Sequence, residues 1–520
     1  MIDSLSPTAR VARGATYVFV QGFLAAIISV VYFVVLAHTL PQEDMGAFAL
    51  LSFLLSLTQT LGTFSLTSAA IKYIPQHLAE NNPEKAQAVV SRVLQVGFLS
   101  SAVTFLLLFV PAEWISTLMF GQSDYAFLLR LLALCSILTV LQANVLSFLQ
   151  GLQKWREVSI INLAYTFIHV PMSIFLLLTG MRLYAVVYGW IAGLAIITTA
   201  GLALTIRYLG LTRKLYPIKP LLRFSLPLYF SAGVGYFVGW VDQLVLPAFT
   251  SLDTLGIYHV AVRASVVPTL FSSAIIVALL PKLSELYATQ GISSLRDAFR
   301  VSVRYAVLIG FPLILGVAVL AYPTIILLAG SQYAEAALPL IIISFSAIVG
   351  AFGIASGPIL LTLERTRIAS MLSLISVLVN LLLSYFALAV LDLGMIGTAW
   401  ARTFTAVVTL GLNLYVVSRY VPISFDKEAI WKASAASAFM VLAIIGADLI
   451  RMFLAPSSYQ FLEIRLHLLP VYIVVGALAY FATIILLKAL KKQDLELIQE
   501  YLPRKLRWLG EWLRKIAKVE

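Results

Sequence analysis

Residues Gly14–Gln42 read GATYVFVQGFLAAIISVVYFVVLAHTLPQ, with no Asp, Glu, Lys or Arg in the whole stretch. An α-helix of about 20 apolar residues crosses the hydrocarbon core of a bilayer. Uncharged runs of similar length recur at Met45–Ile71, Val158–Met181, Leu183–Ile206, Tyr305–Ala334 and Ile368–Leu391. Drawn along the whole chain, this pattern predicts fourteen spanning helices. They lie at about 14–37, 45–69, 93–112, 126–148, 158–179, 184–206, 224–249, 255–281, 305–328, 336–360, 368–391, 395–418, 433–453 and 467–487. A transmembrane β-strand would alternate polar and apolar residues over about 10 positions. These runs are apolar on all sides, so helices satisfy the backbone inside lipid. The expected fold is an all-α polytopic membrane protein.

Composition agrees: 61% of residues are hydrophobic and 12% charged. Little sequence is left over for a large soluble domain. Of the 36 Lys and Arg, Arg182, Arg451 and Arg465 fall in loops on one side, and Arg130, Arg263 and Arg402 fall within helices. The remaining 30 collect on the other side, and the positive-inside rule makes that side cytoplasmic, with both termini. The net charge of +12 thus reflects topology and anionic headgroups, not nucleic-acid binding. The single cysteine, Cys135, excludes a disulfide framework or a cysteine metal site. The first apolar run is too long for a cleaved signal peptide and is expected to stay in the bundle.

Compared with itself at an offset of 210, the chain aligns Arg13 with Arg223, Gly46 with Gly256, Phe48 with Tyr258 and Trp190 with Trp400. Small shifts add Tyr125-Ala126 with Tyr333-Ala334, and Leu152-Gln153-Lys154 with Leu363-Glu364-Arg365. An even number of helices precedes the second copy, so the two copies run parallel about an axis along the membrane normal, a transporter plan. The expected organisation is a six-helix lobe at 1–206, a basic cytoplasmic linker at 207–223, and a second six-helix lobe at 224–420. Two extra helices follow at 421–487, then a basic amphipathic tail at 488–520 that is expected to lie on the membrane surface.

Arg13-Gly14-Ala15 opens helix 1, Leu40-Pro41-Gln42-Glu43-Asp44-Met45-Gly46-Ala47-Phe48 starts helix 2, and Gly151-Leu152-Gln153-Lys154 follows helix 4. Together with Phe224-Ser225-Leu226-Pro227-Leu228, Asp242, Gly256-Ile257-Tyr258 and Ala261-Val262-Arg263, this arrangement resembles the polysaccharide-transporter family. That family belongs to the multidrug/oligosaccharidyl-lipid/polysaccharide exporter superfamily, whose architecture is MATE-like and MurJ-like. The resemblance spans roughly the first 420 residues. It implies a flippase that carries a polyprenyl-linked oligosaccharide to the outer leaflet by alternating access, with helices 1, 2, 7 and 8 lining the cavity. Implied partners are the lipid-linked oligosaccharide, membrane lipids, a coupling ion (Na+ or H+) and polysaccharide-assembly enzymes. The implied location is the plasma membrane.

Such a cargo presents phosphate and sugar, so its carrier needs buried cations, hydroxyl or amide groups and aromatic faces. An arginine at a helix centre costs about 2.5–3.5 kcal/mol on insertion scales and therefore faces a cavity or a partner. Arg263, Arg402 and Arg130 are the phosphate-binding candidates. Arg263 is either a ligand for phosphate or an ion-pair partner of Asp242. Arg402 also suits interhelical hydrogen bonding, and Arg130 also suits snorkelling. Asp242 and His169 are the ion-coupling candidates, the histidine alternatively bonding to a neighbouring helix. Gln21, Tyr32, Gln59, Tyr229, Tyr236, Trp240 and Tyr258 are the sugar-contacting or cavity-lining set. Helices 1 and 2 lack intramembrane charge, unlike peptidoglycan-precursor flippases, which disfavours lipid II as cargo.

A multidrug antiporter of the same superfamily would want acidic residues for organic cations, and the embedded charges here are chiefly arginines. A membrane enzyme would gather catalytic groups in a sizeable loop, whereas Glu113, Asp124 and Glu463 are isolated. No catalytic residue, metal site or cofactor is expected, and no Gly-rich phosphate loop followed by Lys and Ser or Thr indicates ATP use. A scaffold without transport is the remaining alternative, and it leaves the intramembrane charge unexplained.

Overall fold

The computed structural model describes residues 7–266, 279, 283–454 and 468–489. These contain 19 α-helices and no strand, and 13 segments are long and apolar enough to cross a membrane. The protein is an all-α, multi-pass membrane protein. The expected span at 255–281 is described as a helix to Ala264, and its continuation at 267–278 lies outside the described residues. So does the amphipathic tail from 490 onward. The chain separates into two compact units, Met1–His259 and Val260–Glu520.

The first unit holds α1 (Pro7–Thr39), α2 (Gln42–Thr63), α3 (Leu66–Ala79), α4 (Pro83–Phe109), α5 (Ala112–Phe120), α6 (Ala126–Gly151), α7 (Trp155–Leu178) and α8 (Arg182–Leu209). It continues through α9 (Ile218–Val238), α10 (Val241–Val245) and the first two turns of α11 (Leu252–Ala264). The span expected at 45–69 is broken. Phe64 and Ser65 adopt left-handed backbone, φ 47° and 51°, which costs L-residues about 1–3 kcal/mol each. The Phe64 ring, stacked on Tyr229 with centroids 5.1 Å apart, helps hold this bend. Helices α7 and α8 form the most extensive pair. They approach closely at Gly189, where a Cβ would lie 2.0 Å from Ser173 Oγ and 2.9 Å from the His169 carbonyl. With no hydrophobic drive between helices in lipid, such small residues let backbones meet.

The basic segment after α8 is docked on the first unit. Gln87 Nε2 donates to the Leu209 carbonyl (2.7 Å), Ser91 Oγ to Thr212 O (2.8 Å) and Arg92 Nε to Tyr216 O (2.8 Å). Tyr216 N donates back to Ala88 O, and Lys214 pairs with Glu84 at 2.9 Å. The Tyr216 ring lies against His77 and Tyr73. The segment thus follows the first turns of α4 instead of hanging free.

The second unit contains α12 (Ile292–Val319), α13 (Ala321–Ala329), α14 (Ala337–Phe352), α15 (Ser356–Thr362), α16 (Thr366–Tyr385), α17 (Gly394–Ser418), α18 (Lys427–Leu454) and α19 (Leu469–Leu486). Its core joins Phe299 and Phe311 of α12 to Ile359, Val417, Met440 and Tyr480. The last two helices, α18 and α19, pack on each other and α18 on α12. A buried ion pair fixes them there: Arg304 Nη1 meets Asp426 Oδ2 at 3.0 Å, and Nη2 donates to Ala489 O at 2.9 Å. The sequence reading assigned Arg304 to the loop before helix 9. Because α12 begins at Ile292, it lies about three turns inside a helix.

Candidate functional site

Helix α9 stops at Gly239, and a short turn restarts it as α10. This break turns Asp242 and Gln243 inward, where they are 1% and 3% exposed. Tyr258 of α11 donates its hydroxyl to Asp242 Oδ2 at 2.8 Å, and His259 Nδ1 donates to Gln243 Oε1 at 2.6 Å. The other Asp242 oxygen accepts the Gln243 amide at 3.0 Å. Two buried polar pairs, Asp242–Tyr258 and Gln243–His259, therefore lie side by side, and bonding of this kind makes a buried polar network rigid. The imidazole of His259 is flanked by Trp240, stacked at 6.5 Å, and by Phe48, edge-on at 5.9 Å.

Between this cluster and the α2 bend, aromatic residues of α9 meet those of α2 in register. Tyr236 stacks on Phe53 at 5.6 Å and donates its hydroxyl to the Phe53 carbonyl at 2.6 Å. Trp240 tilts against the same ring at 5.6 Å, and Tyr229 covers Phe64. Among the expected sugar-contacting residues, Tyr229, Tyr236 and Trp240 thus lie together along one seam. Tyr258 is fully buried, with its hydroxyl on Asp242, and belongs to the polar cluster instead of a lining surface.

Two other residues of that set point into the first unit. Gln59 Nε2 donates to Thr139 O at 3.4 Å, tying α2 to α6. Tyr32 is 7% exposed and presents its ring to His169 of α7, edge to face at 5.7 Å. His169 in turn donates Nδ1–H to the Tyr165 carbonyl at 2.9 Å and stacks on the Tyr165 ring at 4.2 Å. That bond leaves Nε2 as the proton-accepting nitrogen of a neutral imidazole. Gln21 is half-buried on α1.

The three candidate arginines differ. Arg130 is paired with Glu113 at 2.8 Å, with its side chain 38% exposed, so its charge is met locally at a loop. Arg402 is half-buried on α17. Arg263, in the last turn of α11, is exposed.

The end of the first unit opposite the docked segment carries a further network that the sequence reading did not single out. Asp44, in the first turn of α2, is 4% exposed and meets Arg182 Nε at 2.6 Å. Glu43 accepts from Gln122 Nε2 at 2.8 Å and from the Tyr125 hydroxyl at 3.3 Å. Gln243 and His259 were missed as well. The signal for them was two adjacent polar pairs in apolar surroundings, Asp242-Gln243 and Tyr258-His259, at a shared spacing of 16. Among the described residues no group of three His, Cys, Asp or Glu could hold a metal ion.

A family model described as polysaccharide biosynthesis protein matches residues 35–338, more than half of the chain. The chain belongs to the polysaccharide biosynthesis protein family. The match takes in the α2–α9 seam, the Asp242 cluster and Arg263. Among curated relatives, the chain is similar to the probable low-salt glycan biosynthesis flippase Agl15 of Haloferax volcanii. Identity is 23% over 439 residues, covering 84% of this chain and 89% of the relative. Among solved structures, it is similar to the lipid II flippase MurJ in an inward closed conformation, with a TM-score of 0.72 and 18% identity. That match covers 89% of this chain and 97% of the other. An inward-facing MATE multidrug transporter of the MOP superfamily matches with a TM-score of 0.66 and 15% identity, over 76% of this chain and 95% of the other. The fold expected from sequence, MurJ-like and MATE-like, is the fold found.

Proposed function

We propose that this family member is a flippase for an isoprenoid-linked oligosaccharide, moving it from the cytoplasmic to the outer leaflet of the plasma membrane by alternating access. Membership of the family and likeness to Agl15 support a role in glycan export, and the MurJ-like fold supports lipid flipping. The observation that carries the reading is membership of the polysaccharide biosynthesis protein family, and the residue we assign to the phosphate is Arg263, exposed on a helix otherwise buried along Leu255–Val262. Its fork of donors suits phosphate or pyrophosphate, and a charge-assisted hydrogen bond contributes about 1.5–3 kcal/mol. Arg402 serves as a second cation for the same anionic group. The seam of Tyr229, Tyr236 and Trp240 offers stacking faces for sugar where α9 parts from α2.

Asp242 is the coupling group in this reading. A buried carboxylate whose bonds include the Tyr258 hydroxyl and a backbone amide changes its partners when it gains a proton or a sodium ion, and that exchange biases the lobes between two arrangements. His169, whose Nδ1 is bonded to the Tyr165 carbonyl, is the alternative proton acceptor through Nε2. The basic linker and both termini lie in the cytoplasm, where the docked segment presents Arg213 and Lys219 to anionic headgroups. Assembly enzymes would meet the protein on the leaflet that receives the glycan.

The test is the leaflet distribution of polyprenyl-linked glycans in cells depleted of the protein, with wild type or Arg263→Ala added back. Build-up of cytoplasm-facing glycan relieved by wild type alone supports the flippase and its arginine. Relief by both removes Arg263 from the mechanism. Absence of build-up points to export of other solutes or to a scaffold.

A further inference from the structure

The repeat offset of 210 relates Gly46 to Gly256, and equally Gln42 to Leu252. In the structure these four residues touch each other. A Cβ on Gly46 would lie 2.1 Å from the Leu252 carbonyl oxygen and 3.1 Å from Gly256 N. A Cβ on Gly256 would lie 2.0 Å from the Gln42 carbonyl oxygen and 3.0 Å from Gly46 N. The two descriptions are one contact with the partners exchanged. Equivalent residues of two copies meet in this reciprocal way only on a rotation axis, as in an isologous interface. The first turns of α2 and α11 thus cross backbone to backbone on the pseudo-twofold, and no side chain fits at either position.

Both partners are held firmly. On the α2 side, buried Asp44 is bonded to Arg182 and Glu43 is bonded to Gln122 and Tyr125. On the α11 side, Ser251 caps the helix through Thr254 N, and Leu252 and Leu255 are buried. Neither helix can yield by turning a flexible side chain aside, because the opposing atoms are main-chain oxygens. The contact lies at the end of the unit away from the docked basic segment, at the start of α2 and α11.

We infer that the Gly46–Gly256 crossing is the outer seal of the transport path, closed in this structure and parted when cargo leaves toward the outer leaflet. The inference rests on the flippase reading for its role in transport. It adds two positioning residues that no chemistry of the cargo would reveal. A methyl group at either glycine disfavours the sealed arrangement and leaves the parted one untouched, so its effect has a fixed direction: toward outward opening.

The chain lends itself to the measurement, since its single cysteine, Cys135, is buried and is removed by Cys135→Ser. A reporter cysteine is placed on α9 at the exposed Ala232 and labelled in whole cells with a membrane-impermeant maleimide. Introducing Gly256→Ala, or Gly46→Ala, is expected to raise the labelling rate at least threefold over the same reporter with both glycines intact. Unchanged labelling in protein that reaches the membrane and purifies as a single species overturns the seal.

Should both alanine variants fail to fold, the glycines are kept and cysteines replace Gln42 and Leu252. Bridging them with a short bifunctional thiol reagent is expected to suppress reporter labelling and glycan flipping together. Bridged protein that still labels at the unbridged rate overturns the inference. Because labelling needs no cargo, the outcomes separate: opening by the glycine variants without any glycan phenotype on depletion keeps the seal and rejects the flippase.

Discussion

Replacing Arg304 by methionine is expected to be among the most damaging single changes in the second unit. Both partners of the Arg304–Asp426 pair are nearly inaccessible, with side chains 5% and 4% exposed. The arginine bonds to Asp426 Oδ2 at 3.0 Å and to the Ala489 carbonyl at 2.9 Å. Arg304→Met removes these bonds and takes the guanidinium away from a buried carboxylate. Loss of one partner from a buried pair costs about 3–5 kcal/mol, because the remaining charge is uncompensated. At 1.36 kcal/mol per decade, that is a change of roughly two to three and a half orders of magnitude in the opening equilibrium.

The opening concerned is local. Asp426 also accepts from the Ala429 amide in the first turn of α18, and Ala489 lies just beyond α19, so the pair holds the start of α18 and the end of α19 to α12. Hydrogen exchange of the purified protein in detergent or nanodiscs should show Arg304→Met deprotecting 427–440 and 480–489, with the first unit unaffected. The double variant Arg304→Met, Asp426→Asn removes both charges, and the amide that replaces the carboxylate still offers an oxygen to Ala429 N. A buried pair replaced by neutral groups is often no less stable than the original. The double variant is therefore expected to recover at least half of the lost protection. Protection of the single variant within tenfold of wild type, or a double variant no better than the single one, would refute the argument that burial makes the pair costly to break.

The close approach at Gly189 gives a second paired test. Gly189→Ala overpacks α7 against α8 at a cost of about 1–3 kcal/mol, read as a lower unfolding temperature. Ser173→Ala removes the nearest atom, a buried hydroxyl with no hydrogen-bond partner among the described residues, so alone it is expected to be neutral or mildly stabilising and in combination to relieve part of the loss. The docked linker should respond to acid. Lys214 holds Glu84, and His77 holds Glu80, below the usual carboxylate range, so both carboxylates bind protons less readily folded than unfolded. Their contribution is present above about pH 4.3, the unperturbed glutamate value, and is lost as pH falls through the lowered folded values. Exchange protection of Thr212–Tyr216 amides, corrected for intrinsic rates, should fall between pH 6 and pH 3 and fall less in 1 M salt; no pH effect would assign the docking to the uncharged bonds of Gln87 and Ser91. Arg263→Lys keeps a charge but loses the planar fork, and is expected to restore glycan flipping only in part, between alanine and wild type. Full restoration would mean that charge alone suffices.

The spans were legible in the sequence because bilayer thickness dictates their length and the absence of charge marks them. Their breaks were not. Phe64 and Ser65 carry the left-handed bend between α2 and α3 with neither glycine nor proline at the two positions, and what holds them, the Tyr229 ring, lies more than 160 residues away. Gly46 and Gly256 stood out when the chain was compared with itself, because positions where backbones meet exclude a side chain and so leave a mark that ordinary apolar positions do not. Arg304 and Asp426 were hidden by their separation of 122 residues and by their place near charged loops, where a buried pair reads like two solvated groups.

Polar residues inside the spans were readable as a set but not as roles, and the reason is physical. Lipid solvates none of them, so each must be satisfied within the protein, whether by a neighbouring helix or by facing a polar recess. Where a span is apolar on every side, its sequence does not say which face turns inward, so Tyr32 and Gln59 read the same as Tyr236. Geometry separates them: Tyr32 rests on His169, Gln59 bonds to Thr139, and Tyr258 is committed to Asp242. Charge separates the arginines further. Arg130 is paired with Glu113 at a loop, whereas Arg263 is carried inside α11, where an arginine's insertion cost must be offset by an anionic ligand or an acidic partner. Arg263 and the Tyr258 that holds Asp242 are carried on one helix, so a change at either is transmitted along α11 to the other.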